Sequence, residues 1–174
     1  MAAEKRIFYI HDTMDNVANS TTRDSLQHRD HYSNVVKRSR FFMVAEGKVT
    51  SPEQTGGQVS PGLRYYEGLA AGSVLIGQAP DCESFRRDFD WQQPVIEIKP
   101  DGSDAVEVIS KLISQPDRLR EISCRNAEKA LRRHDWVYRW GEILERVGLE
   151  QTPAMEARVK RLQELADLAR EDGQ

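Results

Sequence analysis

Residues 46–62 and the segment that follows them gather the side chains and backbone best suited to chemistry. Gly56 and Gly57 sit in "TGGQ" (55–58), Ser60-Pro61 reads as a helix start, and Arg64 falls in that helix's first turn. Serine can cap the first free amides, and proline's fixed φ fits the first helical position. The unpaired amides and positive dipole end of such a helix attract an anion, and Arg64 adds a full charge. A phosphate could dock there, although a lone glycine pair is a weak signal and more often only lets a long surface loop turn. Neither GxGxxG nor GxxxxGK[ST] occurs, so dinucleotide and P-loop chemistry lack their motifs. Glu67 lies on the same short helix, just ahead of the apolar run Ser73 to Gly77, with Gly72 ending the helix between them.

Other reactive side chains are more scattered. His28 and His31 lie three apart on an expected helix, with His11-Asp12 upstream, but no third ligand stands at a diagnostic spacing. A solvated helical face is the commoner origin of such a pair, and no metal is expected. "KRSR" (37–40) places cations at a helix C-terminus, where the dipole favours them. "LRRHDWVYRW" (131–140) mixes basic and aromatic residues as single-stranded nucleic-acid binders do. Asp135, however, can cap a helix whose Trp136, Trp140, Ile143 and Leu144 share a face, so these side chains are expected to be buried anchors.

These residues need a scaffold, and the order of elements supplies one. Arg6 to Ile10 is β-prone, "HDTMDNVANSTT" is an aperiodic loop, and Asp24 to Ser39 is helical. Phe41 to Ala45 reads as a strand covered on both faces and a central neighbour of the strand 73–77. Gly47 to Val59 is loop, Cys82 to Phe89 a short helix, and Val95 to Ile98 a further strand. Ser103 or Asp104 caps the next helix, and Pro116-Asp117 opens another. Alternating strands and helices predict an α/β fold with a Rossmann-like, mainly parallel sheet and helices on both faces. In such sheets ligands bind at the carboxyl ends of the strands, where residues 46–62 fall.

Composition narrows the function. The 174 residues are 39% hydrophobic and 30% charged, as in globular domains. A net charge of -3 gives the whole chain no attraction for phosphate backbones, so nucleic acid is not an expected partner. Cys82 and Cys124 make neither a CxxC site nor a disulfide framework, which fits a reducing cytoplasm. No apolar run approaches the roughly 20 residues of a membrane span. "EQTPAM" (150–155) separates the body from a helical C-terminal tail whose Met155, Val159, Leu162, Ala166 and Ala169 form a stripe. The stripe is expected to dock on the chain's own body, with a homo-oligomer as the other use.

The run "RYYEGLAAGSVLIG" (64–77) resembles the helix-strand signature of the donor domain in GT-B glycosyltransferases of the group 1 type. "HRDHYSNVVKRSRFF", "APDCESFRRDFD" and "NAEKALRRHDWVYRWGEIL" resemble the flanking elements, so the likeness covers most of residues 24–149. The resemblance implies a nucleotide-sugar-binding domain over 1–149, N-terminally incomplete, followed by the tail 150–174. It implies glycosyl transfer to an acceptor held by a separate N-terminal domain, without which the chain alone should not turn over, and no cofactor. By position, Glu67 would accept hydrogen bonds from the donor's ribose hydroxyls; an ionised carboxylate is acceptor-only and suits that task. The amides around Gln58 to Gly62, with Gly56, Gly57, Ser60 and Arg64, would face the donor phosphates. Val59 stands where many members carry a second glutamate, eight residues before Glu67. No residue is assigned a catalytic role. A non-catalytic α/β nucleotide-binding or protein-interaction module is the alternative, because fold alone does not fix function.

Overall fold

A computed structural model describes residues 22–46 and 52–173, and the chain divides into two compact units, 1–34 and 35–174. The expected strand Arg6 to Ile10 and the loop after it lie outside the described residues. Helix α1 (Thr22–Lys37) runs from the first unit into the second. Within the second unit follow β1 (Phe41–Val44), a 3-10 turn (Pro52–Thr55), α2 (Leu63–Ala70), β2 (Val74–Gly77), α3 (Glu83–Asp88) and β3 (Val95–Glu97). Four helices complete it: α4 (Ala105–Ile113), α5 (Pro116–Arg133), α6 (Trp136–Arg146) and α7 (Pro153–Asp172).

The described strands form one parallel sheet in the order β1-β2-β3, with Phe41 opposite Val74 and Leu75 opposite Val95. This is the Rossmann-like arrangement the element order predicts. Strand alternation splits the core into two layers, as a period of two requires. Leu75, Val44 and Val95 pack on one face with Tyr65 and Leu69 of α2 and Phe85 of α3. Val74, Ile76 and Ile96 pack on the other with Leu112 of α4 and Ile122 of α5. Helix α5 reaches both layers, since its Ala130 belongs to the first. Asn126 of α5 is fully buried; it donates to the Ser73 carbonyl at 3.2 Å and accepts from the Trp91 indole at 3.3 Å.

Three expectations need correction. Strand β1 neighbours β2 in parallel as expected, but it is not covered on both faces: Met43 is 58% exposed, whereas β2 is buried throughout. Helix α2 starts at Leu63 rather than at Pro61: Gly62 is still extended (φ -68°, ψ 164°), and no side chain caps the helix. On α6, Trp136 is 70% exposed, Trp140 54% and Ile143 48%. The buried face is instead the one carrying Val137 and Gly141.

Other boundaries fall as expected. Pro116 opens α5, and Asp135 caps α6 by accepting from the Val137 amide at 2.9 Å. Asp104 stands at the α4 N-cap position, yet its carboxylate accepts from the Lys99 amide at 2.8 Å and closes the preceding turn instead. Helix α7 turns its stripe onto α5 and α6, burying Leu162 and Ala166.

Candidate functional site

The site is built around α2, and most of that helix is explained by packing. Tyr65 is completely buried, and its hydroxyl donates to the Gln78 carbonyl at 2.7 Å, pinning α2 to the carboxyl end of β2. Gln78 in turn donates from its side chain to the Ile98 carbonyl at 3.4 Å, beyond the end of β3. Burial, reinforced by the Glu46 carboxylate, pushes the Tyr65 phenol above its ordinary range, so it stays a neutral donor. Gly68 lets the helix approach the sheet: a Cβ there would come within 2.5 Å of Leu75 and 2.7 Å of Phe42. Leu69 fills the core between α2 and the sheet. Each of these residues is spoken for by the fold.

Arg64 and Glu67 point the other way. Their side chains are 58% and 41% exposed, and the guanidinium lies 3.9 Å from the carboxylate, one helical turn apart. An exposed pair of this kind contributes only about 0.3–0.5 kcal/mol. Glu67 lines a groove of about 440 Å³ between α2, the α5–α6 turn and α7, together with Leu63, Tyr66, His134 and Trp136. Of the seven residues predicted to face the donor, Glu67 alone is in the walls of that groove.

The other predicted residues lie on the approach to α2. Gly56 and Gly57 both have positive φ (60° and 77°), where only glycine is unstrained, and form a turn closed by the Gln58 amide donating to the Thr55 carbonyl at 3.1 Å. A Cβ at either glycine would meet nothing within 4 Å, so turning, rather than crowding, requires them. Gln58 and Ser60 are exposed, and Gly62 leads directly into α2. Because Gly62 offers no side-chain acceptor, the first turn of α2 has no capping hydrogen bond from the residue before it. The glycine turn and the helix start are therefore continuous along the chain, as the sequence suggests, while Glu67 opens onto a separate wall.

Sequence reasoning missed the cluster that joins Tyr66 and His134 of this groove to the residues behind them. Tyr66 donates to the Asp88 carboxylate at 2.8 Å, and Arg87 donates to the other oxygen at 2.9 Å. His134 bonds the Asp88 carbonyl through Nε2 at 3.1 Å and meets the Tyr66 ring edge-on, with centroids 5.2 Å apart. Burial would raise the Asp88 carboxyl, but the bonds from Arg87 and Tyr66 outweigh it and hold the group below its usual value. Burial lowers the His134 imidazole, so it is neutral near pH 7. Arg139 lies 5.8 Å from the Tyr66 ring centroid and 5.6 Å from that of Trp136, a cation-π contact with an exposed indole that lines the groove. The one advance signal is the run "HDW", where His134 closes one helix and Asp135 caps the next.

Among the described residues no group of three histidine, cysteine or acidic side chains is placed to hold a metal ion. No helix among them is long and apolar enough to cross a membrane. His28 and His31 stand in α1, the first half-buried and the second exposed.

A family model described as glycosyl transferase-like matches residues 6–145, ending before α7. No curated protein and no solved structure matches the chain. The match takes in the whole sheet, the glycine turn, α2 with Glu67 and the wall around His134. The chain thus belongs to the glycosyl transferase-like family, as a domain related to glycosyl transfer.

Proposed function

We propose that this domain binds a nucleotide-sugar donor, with Glu67 accepting hydrogen bonds from the ribose hydroxyls. The amides from Gln58 to Gly62, the Gly56-Gly57 turn, Ser60 and Arg64 face the diphosphate in this reading. The observation that carries it is the division of labour on α2. Tyr65, Gly68 and Leu69 are consumed by packing, whereas Arg64 and Glu67 face outward on the helix that follows the carboxyl end of β1. Ligands of parallel α/β sheets bind at that edge.

The chemistry follows from the charges. In glycosyl transfer the bond between the anomeric carbon and the diphosphate oxygen breaks while one to an acceptor oxygen forms, and negative charge builds on the departing phosphate. Fixed amides at a helix start and a guanidinium one turn away stabilise that charge without reorganising. Glu67 positions the nucleoside and takes no proton in this scheme. Melting the purified chain with UDP-, GDP- and ADP-sugars tests the reading, because a ligand held only by the native state raises the transition. One nucleotide series should raise it and the others should not; no shift with any of them counts against donor binding.

A further inference from the structure

A second concave site lies on the far side of His134 from the Glu67 groove. It encloses about 480 Å³ where the C-terminal ends of α3 and α5 meet α6, and His134 lines both cavities. Arg87, Arg133, Arg139 and Arg146 line it, against the carboxylates of Asp88 and Glu142. Four guanidiniums therefore face two carboxylates in one hollow of a chain whose net charge is -3.

The four arginines are not equivalent. Arg87 is committed to Asp88 at 2.9 Å, and Arg133 to Asp90, with a further bond to the Arg87 carbonyl at 3.1 Å. Both also sit in the last turns of their helices, where the dipole favours a cation. Arg146 likewise ends α6, where the dipole favours it, but among the described residues neither Arg139 nor Arg146 has a carboxylate within 4.0 Å. Glu142 shares their helix and the pocket wall, yet it forms no ion pair with either. Arg139 is moreover held in place by the Tyr66 and Trp136 rings and reaches the His134 carbonyl at 3.5 Å, so its position is fixed before any ligand arrives. Two guanidiniums on one helix that line the same hollow suit recognition of phosphate oxygens, which a planar guanidinium can bind in a bidentate way.

We propose that this pocket binds the phosphate group of a phosphorylated ligand through Arg139 and Arg146, independently of the donor site at Glu67. The phosphate could be carried by a soluble ester or by a lipid headgroup, and the two differ only in what trails from it. Titration calorimetry with inorganic phosphate at constant ionic strength is the first arm. Wild type should bind, and Arg139→Gln/Arg146→Gln should lose about tenfold or more in affinity, the loss of a charge-assisted hydrogen bond. Arg146→Gln alone touches no aromatic ring and guards against a folding defect in the double variant; it should also weaken binding. Glu142→Gln should strengthen binding by removing a like charge from the wall, and Glu67→Gln should leave it unchanged. In the second arm the chain is sedimented with phosphatidylcholine vesicles, with and without phosphatidic acid. Pelleting that needs phosphatidic acid and is lost in Arg146→Gln assigns the phosphate to a lipid, and phosphate binding without pelleting assigns it to a soluble ester. No phosphate binding by wild type, or equal binding by wild type and both arginine variants, overturns the proposal.

Discussion

Replacing Gly68 by alanine should destabilise the domain although alanine is the better helix former. The added methyl would lie 2.5 Å from Leu75 Cδ2 and 2.7 Å from Phe42 Cδ1, well inside contact distance. Leu75 is fully buried in the central strand and has no room to retreat, whereas Phe42 is half-buried on β1 and can give. Overpacking by one methyl costs about 1–3 kcal/mol, and the helix-propensity gain from glycine to alanine returns about 0.8–1 kcal/mol. The net loss should be about 0–2 kcal/mol, or up to roughly 8 °C in Tm at about 2–4 °C per kcal/mol for a chain of this size. Denaturant melts followed by far-ultraviolet circular dichroism measure it directly. Gly68→Ala more stable than wild type would mean that α2 is not seated on Leu75 and Phe42, and the argument that packing consumes Gly68 would fail with it.

Two further outcomes follow from the same helix and its neighbours. Tyr65→Phe should cost about 1–3 kcal/mol in chemical denaturation, because it leaves the Gln78 carbonyl without the buried hydroxyl that reaches it at 2.7 Å; a neutral effect would remove that tie between α2 and β2. His134 is lowered by burial, so its contribution is fully present above its unfolded value of about 6.5 and is lost as pH falls through that value toward the lower folded one. Wild type should therefore lose stability between pH 7 and pH 5 and His134→Gln should lose less; equal slopes would contradict the burial of the imidazole.

Local signals served the sequence reading well wherever one residue dictates one geometry. Pro116 at the start of α5 and Asp135 at the cap of α6 are such cases, because a fixed φ or a short side-chain acceptor acts on its own backbone. The stripe Trp136, Trp140, Ile143 shows the limit. Periodicity reveals that residues share a face, but α6 has a second face with Val137, and the neighbours decide which one is covered. Size misled here, since the smaller residues are the ones against the body. The cover over β1 is equally non-local: four apolar residues in a row fit a strand buried on both sides, yet Met43 is open. At the site, the glycine turn and the outward Glu67 could be read from residue types, whereas the wall of Tyr66, Asp88, His134 and Arg139 joins residues up to 73 positions apart and needs the fold to assemble.

Titration calorimetry of a UDP-, GDP- or ADP-sugar into wild type and Glu67→Gln tests donor recognition most directly. The substitution keeps the shape of an exposed side chain and removes the charge that strengthens its two acceptor bonds, each worth roughly 1.5–3 kcal/mol. Wild type should bind one nucleotide series, Glu67→Gln should bind it at least about tenfold more weakly with an unchanged melting curve, and a 2′-deoxyribose analogue should lose less on the variant than on wild type. Equal affinities for the two proteins would give Glu67 no part in holding the ribose, and absence of binding by wild type would contradict donor recognition by this domain.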